Sequence, residues 1–250
     1  MCTILLAYQV VEEWPIIIGN NRDEFFSRSA IAPRVFSNGG LNRWIAPFDT
    51  RAGGSWWACN QKGLLVLLTN RWNGLPPDEE KRSRGCLVYE LMQHDSPAAA
   101  RRWLLAADVD GYNPFNLLVL DSSGGFMASN YPAFAEFPLS PGFHFIGNGP
   151  LKEERTPKSR MAGRRFGHWG GEAVKAAEIV LGFKQMLCTS LPQESIPPQG
   201  FNVRLDGYGT TSSTLLALSE PRRSKFLCLY ADGNPLWTPY RDYSCHSLLC

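Results

Sequence analysis

Cys2 stands directly behind the initiator methionine and opens an apolar run, Cys2-Thr3-Ile4-Leu5-Leu6-Ala7-Tyr8-Gln9-Val10. Cysteine is small enough for an aminopeptidase to remove Met1, and removal would place a thiol and an α-amine on one residue. The amine titrates near ~8 and the thiol near ~8.5, so the amine can act as base for its own nucleophile. Such a residue could attack the carbonyl of a C–N amide. The competing reading is a buried cysteine at the head of a first strand.

The following residues bring a carboxylate to that thiol. Two apolar runs, Cys2 to Val10 and Pro15 onward through Ile16-Ile17-Ile18-Gly19-Asn20-Asn21-Arg22-Asp23-Glu24, flank a short polar segment and read as a β-hairpin. With Val11 to Trp14 as the loop, Val10 faces Pro15, Ile4 faces Asn21 and Cys2 faces Asp23. Directly opposed residues share a face with Cβ atoms roughly 4.5–5.5 Å apart. Asp23 would then sit beside the thiol and amine, while Arg22 points the other way by alternation and braces Glu24 or a loop. Asn21 and Arg22 are kept as candidates for the pocket wall.

A second hairpin reads from Ser55-Trp56-Trp57-Ala58-Cys59 through Asn60-Gln61-Lys62-Gly63 into Leu64-Leu65-Val66-Leu67-Leu68-Thr69-Asn70. The last run is apolar at nearly every position, as expected of a strand buried on both faces. Counting places Asn70 near Gly53-Gly54, where absent side chains leave backbone N–H groups accessible. Trp56 is core packing or the wall of a site for a flat apolar ligand.

The segment Arg71 to Lys81 reads as loop, and helical patterns follow over Ser83 to His94, Pro97 to Ala106 and Glu172 to Leu187. Further strands are expected at Phe115 to Asp121, Gly125 to Ser129, Phe143 to Gly147, Ser212 to Ser219 and Phe226 to Ala231, with Gln193 to Gly200 a surface loop. Strands, helices and strands again, some buried on both faces, predict an α+β protein. A four-layer αββα sandwich accommodates that order, in one domain over 1–250, with a single open sheet as the alternative.

Composition narrows the classes. A chain of 250 residues, 44% hydrophobic, can bury a substantial core. Net charge is +2 with scattered Lys and Arg, which gives no basis for nucleic-acid binding. The densest basic cluster, Lys158-Ser159-Arg160 with Arg164-Arg165, reads as a solvated helix face. No stretch approaches the ~18 apolar residues of a membrane span. The N-terminus lacks the features of a secretory signal, and seven irregularly spaced cysteines suit free thiols in a reducing cytoplasm. Cys245-His246 and Cys250 read as a frayed tail, and no metal site is expected.

The tetrapeptide Asn21-Arg22-Asp23-Glu24 resembles the signature of the NRDE family, also called transport and Golgi organisation protein 2. Met1-Cys2, Gly53-Gly54-Ser55-Trp56, Leu68-Thr69-Asn70, Tyr112-Asn113-Pro114-Phe115-Asn116, Gly147-Asn148-Gly149 and Tyr208-Gly209-Thr210 extend the resemblance in order over most of the chain. It implies an N-terminal-nucleophile (Ntn) hydrolase-like αββα fold and a role in haem trafficking, with haem or another small lipophilic ligand as cargo and no required cofactor. A more distant resemblance, to penicillin V acylases and bile salt hydrolases, implies a cysteine amidohydrolase instead. There Cys2 would be the nucleophile, Asp23 would contact its amine, and Asn70 and Asn148 would donate to the oxyanion and the amine.

Two departures count against catalysis. Asn20 stands where the acylases carry an arginine. Thr211 stands in Gly209-Thr210-Thr211-Ser212-Ser213-Thr214, where family members commonly have arginine. With no cation at 211 and Arg22 facing away, Cys2 is expected to be an ordinary thiol.

Overall fold

Strands β1 (Cys2–Val11) and β2 (Trp14–Phe25) form the first hairpin across a Glu12-Glu13 turn. Val11 pairs with Trp14, so the loop is shorter than the expected Val11 to Trp14, and Tyr8 pairs with Ile16, so Gln9 and Val10 together oppose Pro15. This is a β-bulge, with Gln9 at a φ of 51°. Pro15 has no N–H to give the ladder, and inside a sheet proline is accommodated at such irregularities. Every pair beyond it moves by one residue: Ile4 faces Asn20, and Cys2 faces Arg22. The expected pairs Val10 with Pro15, Ile4 with Asn21 and Cys2 with Asp23 are therefore corrected.

The computed structural model describes residues 2–39, 42–151, 156–169, 174–190, 200–219 and 225–244. The chain divides into two compact units: the described residues up to Ser27 together with those from Ser140 onward, and Arg28–Leu139 between them. The inserted unit is an antiparallel meander of β3 (Ala30–Ser37), β4 (Arg43–Asp49), β5 (Trp57–Asn60), β6 (Leu65–Asn70), β7 (Phe115–Leu120), β8 (Gly125–Ser129) and β9 (Ala135–Pro138), side by side in chain order. Helices α1 (Arg84–Leu91) and α2 (Pro97–Ala106) cover one face. There Leu87, Leu91 and Leu104 pack with Val66, Leu68, Leu117 and Val119. β6, buried from Leu65 to Thr69, meets the both-faces expectation.

The first unit adds β10 (Gly142–Ile146), α3 (Pro157–Trp169), α4 (Ala176–Leu187), β11 (Arg204–Leu205), β12 (Tyr208–Leu218), β13 (Phe226–Ala231) and β14 (Arg241–Asp242) to the hairpin. Its sheet runs β10-β1-β2-β12-β13-β14, with β11 paired to β12. Leu5, Ala7, Ile17, Leu215 and Ala217 meet Ile179, Phe183 and Leu187 on the helical side. Each fully buried Leu, Ile or Phe side chain among them contributes roughly 1.5–3 kcal/mol.

The elements that differ from expectation have local causes. Pro33 and Pro47 lie within β3 and β4, and the β3–β4 register shifts between Ile31 and Arg34. Gly163 and Gly167 weaken the pattern of α3. Helix α4 begins at Ala176 because Lys175 is extended, with ψ at 147°. The expected helical residues 172–173, nearly all of the loop 193–200 and the Cys245-His246 and Cys250 tail lie outside the described residues.

Candidate nucleophile and ligand site

Alternation along the central strands divides the site residues of the first unit between two faces of its sheet. Asn21 and Asp23 lie on the helical side. Cys2, Asn20, Arg22, Ser212 and Tyr230 lie on the other, as the pairs Cys2–Arg22, Ser212–Arg22, Thr214–Asn20 and Thr214–Tyr230 require.

On the helical side Asp23 is the hub. Thr210 Oγ1 donates to Asp23 Oδ1 at 2.7 Å and accepts from the Val203 N–H at 2.9 Å, while the Tyr208 hydroxyl donates to the Asp23 carbonyl at 2.9 Å. Lys158 Nζ reaches within 3.9 Å of Asp23 Oδ2, the two side chains being 12% and 0% exposed, and donates to Thr3 Oγ1 at 3.5 Å. The basic cluster read as a solvated face therefore turns one lysine inward, because Lys158 lies in the first turn of α3 with the buried Ser159 beside it. Burial raises the Asp23 carboxyl above its ordinary value, against the pull of Lys158 and Thr210. Burial lowers the Lys158 ammonium, against the pull of Asp23. Asn21 donates to the carbonyls of Leu187 at 2.9 Å and Phe201 at 3.0 Å. It ties the end of α4 to the sheet on the face opposite Cys2.

On the other face Arg22 is the direct neighbour of Cys2 across the ladder, which overturns the expectation that it faces away. A second bulge explains how it is held. Thr210 pairs with Asp23 and Ser212 with Arg22, leaving Thr211 as the extra residue between them. Thr210 and Ser212, which a regular strand would keep on one face, thereby serve opposite faces, and the Thr211 hydroxyl meets Arg22. Burial pushes the Cys2 thiol up; the Asp23 charge adds to the rise and the Arg22 charge opposes it. The thiol is thus held above its ordinary value rather than at it. Asn148 follows β10, half-buried, in Gly147-Asn148-Gly149. Ile146 pairs with Ile4, so Asn148 and Cys2 each lie two residues beyond the same pair.

Asn70, Gly53, Gly54 and Trp56 belong to the second unit. Asn70 ends β6 opposite Phe115. Trp56 is buried and its carbonyl accepts from the Leu68 N–H at 2.9 Å, which extends the β5–β6 pairing toward Gly54 and Asn70. Gly53 and Gly54 have φ of 70° and 79°, and a Cβ on Gly54 would lie 2.2 Å from the Gly85 carbonyl carbon. That turn is a close backbone approach, which only glycine permits. Among the described residues no group of three or more His, Cys, Asp or Glu side chains is arranged to hold a metal ion. No helix among them is long and apolar enough to cross a membrane.

Lys158, Ser212 and Tyr230 were not singled out by sequence reasoning as parts of this site. Only the two bulges, at Pro15 and Thr211, bring Ser212 and Tyr230 onto the face of Cys2; Pro15 was the visible signal for the first.

Comparison with known proteins supplies the context. The sequence profile described as Transport and Golgi organisation 2 matches residues 1–228. The Transport and Golgi organization protein 2 homolog of Bos taurus is 32% identical over 232 residues, spanning 80% of this chain and 81% of that protein. The Homo sapiens homolog is 28% identical over 236 residues, with the same coverage of both chains. Among solved structures, conjugated bile acid hydrolase from Clostridium perfringens aligns over 100% of this chain and 94% of its own, with a TM-score of 0.61 and 12% identity. A Caenorhabditis elegans ortholog of N-acylethanolamine-hydrolyzing acid amidase aligns over 86% and 92%, with a TM-score of 0.57 and 16% identity. Penicillin V acylase from Agrobacterium tumefaciens aligns over 97% and 86%, with a TM-score of 0.56 and 12% identity. These likenesses show the fold: α+β and Ntn-hydrolase-like.

Proposed function

Because the chain belongs to the Transport and Golgi organisation 2 family, we propose that it is a cytoplasmic carrier that binds a small lipophilic ligand such as haem on an Ntn-hydrolase-like frame. The observation that carries this reading is the state of Cys2. A working cysteine nucleophile needs a depressed thiol pKa and a partly open, electropositive setting. Here burial raises the thiol above its ordinary value, and Asp23, the residue an N-terminal amine would need, is engaged by Lys158 and Thr210. A frame that keeps the fold of amide hydrolases while quenching the nucleophile suits binding and release better than turnover. Haem titration followed by Soret absorbance tests it: saturable binding at micromolar protein is expected, and an unchanged spectrum would refute haem as the cargo.

A second reading rests on Arg22, whose charge faces the thiol and opposes the effect of burial. If Met1 is removed and the α-amine displaces Lys158 from Asp23, Cys2 would be an amidohydrolase nucleophile. Intact mass fixes the first residue, and hydrolysis of N-acyl amides by the wild type but not by Cys2→Ser would establish this reading over the carrier.

A further inference from the structure

One end of the first unit's sheet leaves large apolar side chains in water. Phe25 is 58% exposed, Phe26 59%, Leu236 45% and Trp237 61%. They are connected. The Phe25 ring meets Tyr208 edge-on at 5.2 Å, and a Cβ on Gly209 would lie 3.1 Å from the Phe26 ring, so that ring covers Gly209. Gly209 pairs with Arg204, whose guanidinium lies 4.9 Å from the centre of the Trp237 ring. Backbone bonds hold both sides in place: the Phe26 N–H donates to the Gly207 carbonyl at 2.9 Å, and the Trp237 N–H to the Asn234 carbonyl at 3.2 Å. This is also the end of the sheet where β1 begins, because Cys2 pairs with Arg22 and Phe25 with Tyr208 at the start of β12.

Singly exposed apolar residues are ordinary, whereas a connected patch marks a contact surface. At these exposures the four side chains leave on the order of 400 Å² of apolar surface to water. A stable protein interface takes about 800 Å² from each partner. That is twice what the patch offers, which argues against a second copy as its occupant. A lipid surface sets no such threshold: Phe, Leu and Trp enter the head-group boundary, and binding grows with each side chain buried there. Charge selects the kind of lipid. Arg204 is exposed beside the patch, as are Asp206 in the β11–β12 turn and Asp232 just after β13, and Glu24 is half-buried before Phe25. Among the described residues that mixture of signs is not the basic cluster that attracts anionic lipid. It complements a head group carrying both charges, with phosphate toward Arg204 and quaternary ammonium toward the acids. We infer that Phe25, Phe26, Leu236 and Trp237, around Arg204, form a peripheral docking surface for a zwitterionic lipid bilayer. The inference goes beyond the carrier reading and holds whatever the cargo.

The test is flotation of the full chain with phosphatidylcholine vesicles. The wild type should float with them, and admixed phosphatidylserine should not strengthen the binding. Phe26→Ser combined with Trp237→Ser should weaken partitioning at least about tenfold, with an unchanged thermal melt because both side chains are exposed. A second measurement uses the indole itself. Vesicles of bromine-labelled phosphatidylcholine should quench the wild-type fluorescence, and Trp237→Phe, which keeps an aromatic anchor, should still float but lose most of that quenching. Failure of the wild type to float, or flotation that the double variant retains, would overturn the surface. So would binding that requires phosphatidylserine and disappears in salt, since that is attraction by scattered cations. A dimer in sedimentation that the double variant abolishes would give the patch to a second copy and overturn it too. The haem titration stands apart, because either assay can fail while the other succeeds.

Discussion

The hydroxyl of Thr211 holds Arg22 by two atoms: it accepts from Arg22 Nη1 at 3.0 Å and donates to the Arg22 carbonyl at 3.2 Å. The position that lacks the family's common arginine therefore orients another one. Thr211→Val keeps the shape and removes both bonds. It should lower stability by about 1–2 kcal/mol in denaturant unfolding. Unchanged stability would show that the grip is incidental.

The buried pair behind the sheet can be separated from its members by a double-mutant cycle. Lys158→Met alone leaves Asp23 buried without its cation and should destabilise by about 3–5 kcal/mol at pH 7. Asp23→Asn combined with Lys158→Met should return to within about 1 kcal/mol of wild type, since desolvation of both charges is relieved. Additive losses would count against a coupled pair.

The pH dependence has a definite sign. Folding raises the Asp23 carboxyl, so its stabilising contribution is complete below the ordinary ~3.9 and is lost as pH rises through the raised value. Folding lowers Lys158, so its contribution is complete above the ordinary ~10.4 and is lost as pH falls through the lowered value. The deficit of Lys158→Met should therefore shrink as pH falls and Asp23 takes up a proton. Thermal melts from pH 4 to 8 measure this, and a deficit that grows toward acid would reverse the assignment.

Cys2 should alkylate slowly. Iodoacetamide labelling resolved by peptide mass should give an apparent pKa above the ordinary ~8.5, because burial favours the neutral thiol. An apparent pKa below about 7 in a chain without Met1 would make the amidohydrolase the leading reading.

In the second unit, Gly54→Ala would set a methyl group against the Gly85 backbone at a φ of 79°. A loss of at least about 2 kcal/mol in unfolding free energy is expected, whereas Gly53→Ala, with open space around it, should cost less.

Much of this was legible in the chain. The Leu64 to Asn70 run, the Pro97 helix and the Cys2 hairpin follow from apolar period and turn residues alone. What misled was counting through irregularities. Loop counting found the hairpin but placed Val11 and Trp14 in its loop, where they pair; the register failed beyond Pro15 because a bulge adds a residue without changing the apolar pattern. The inward turn of Lys158 was hidden for a related reason: the composition of α3 reads as solvated, and only its contact with Asp23 distinguishes one lysine from the surrounding basic residues.

Every residue from Cys2 to Tyr8 is buried, on both faces of the sheet. The apolar pattern of such a strand does not by itself tell two alignments one step apart from each other, because its residues are apolar toward both faces. The choice falls to the missing N–H of Pro15. A replacement there that donated to the ladder would admit the slipped alignment, in which the thiol meets Asp23 rather than Arg22. The character of this face, guanidinium-flanked or carboxylate-flanked, is thus open to rewiring by evolution at the far end of the hairpin, with every residue around the thiol left as it is.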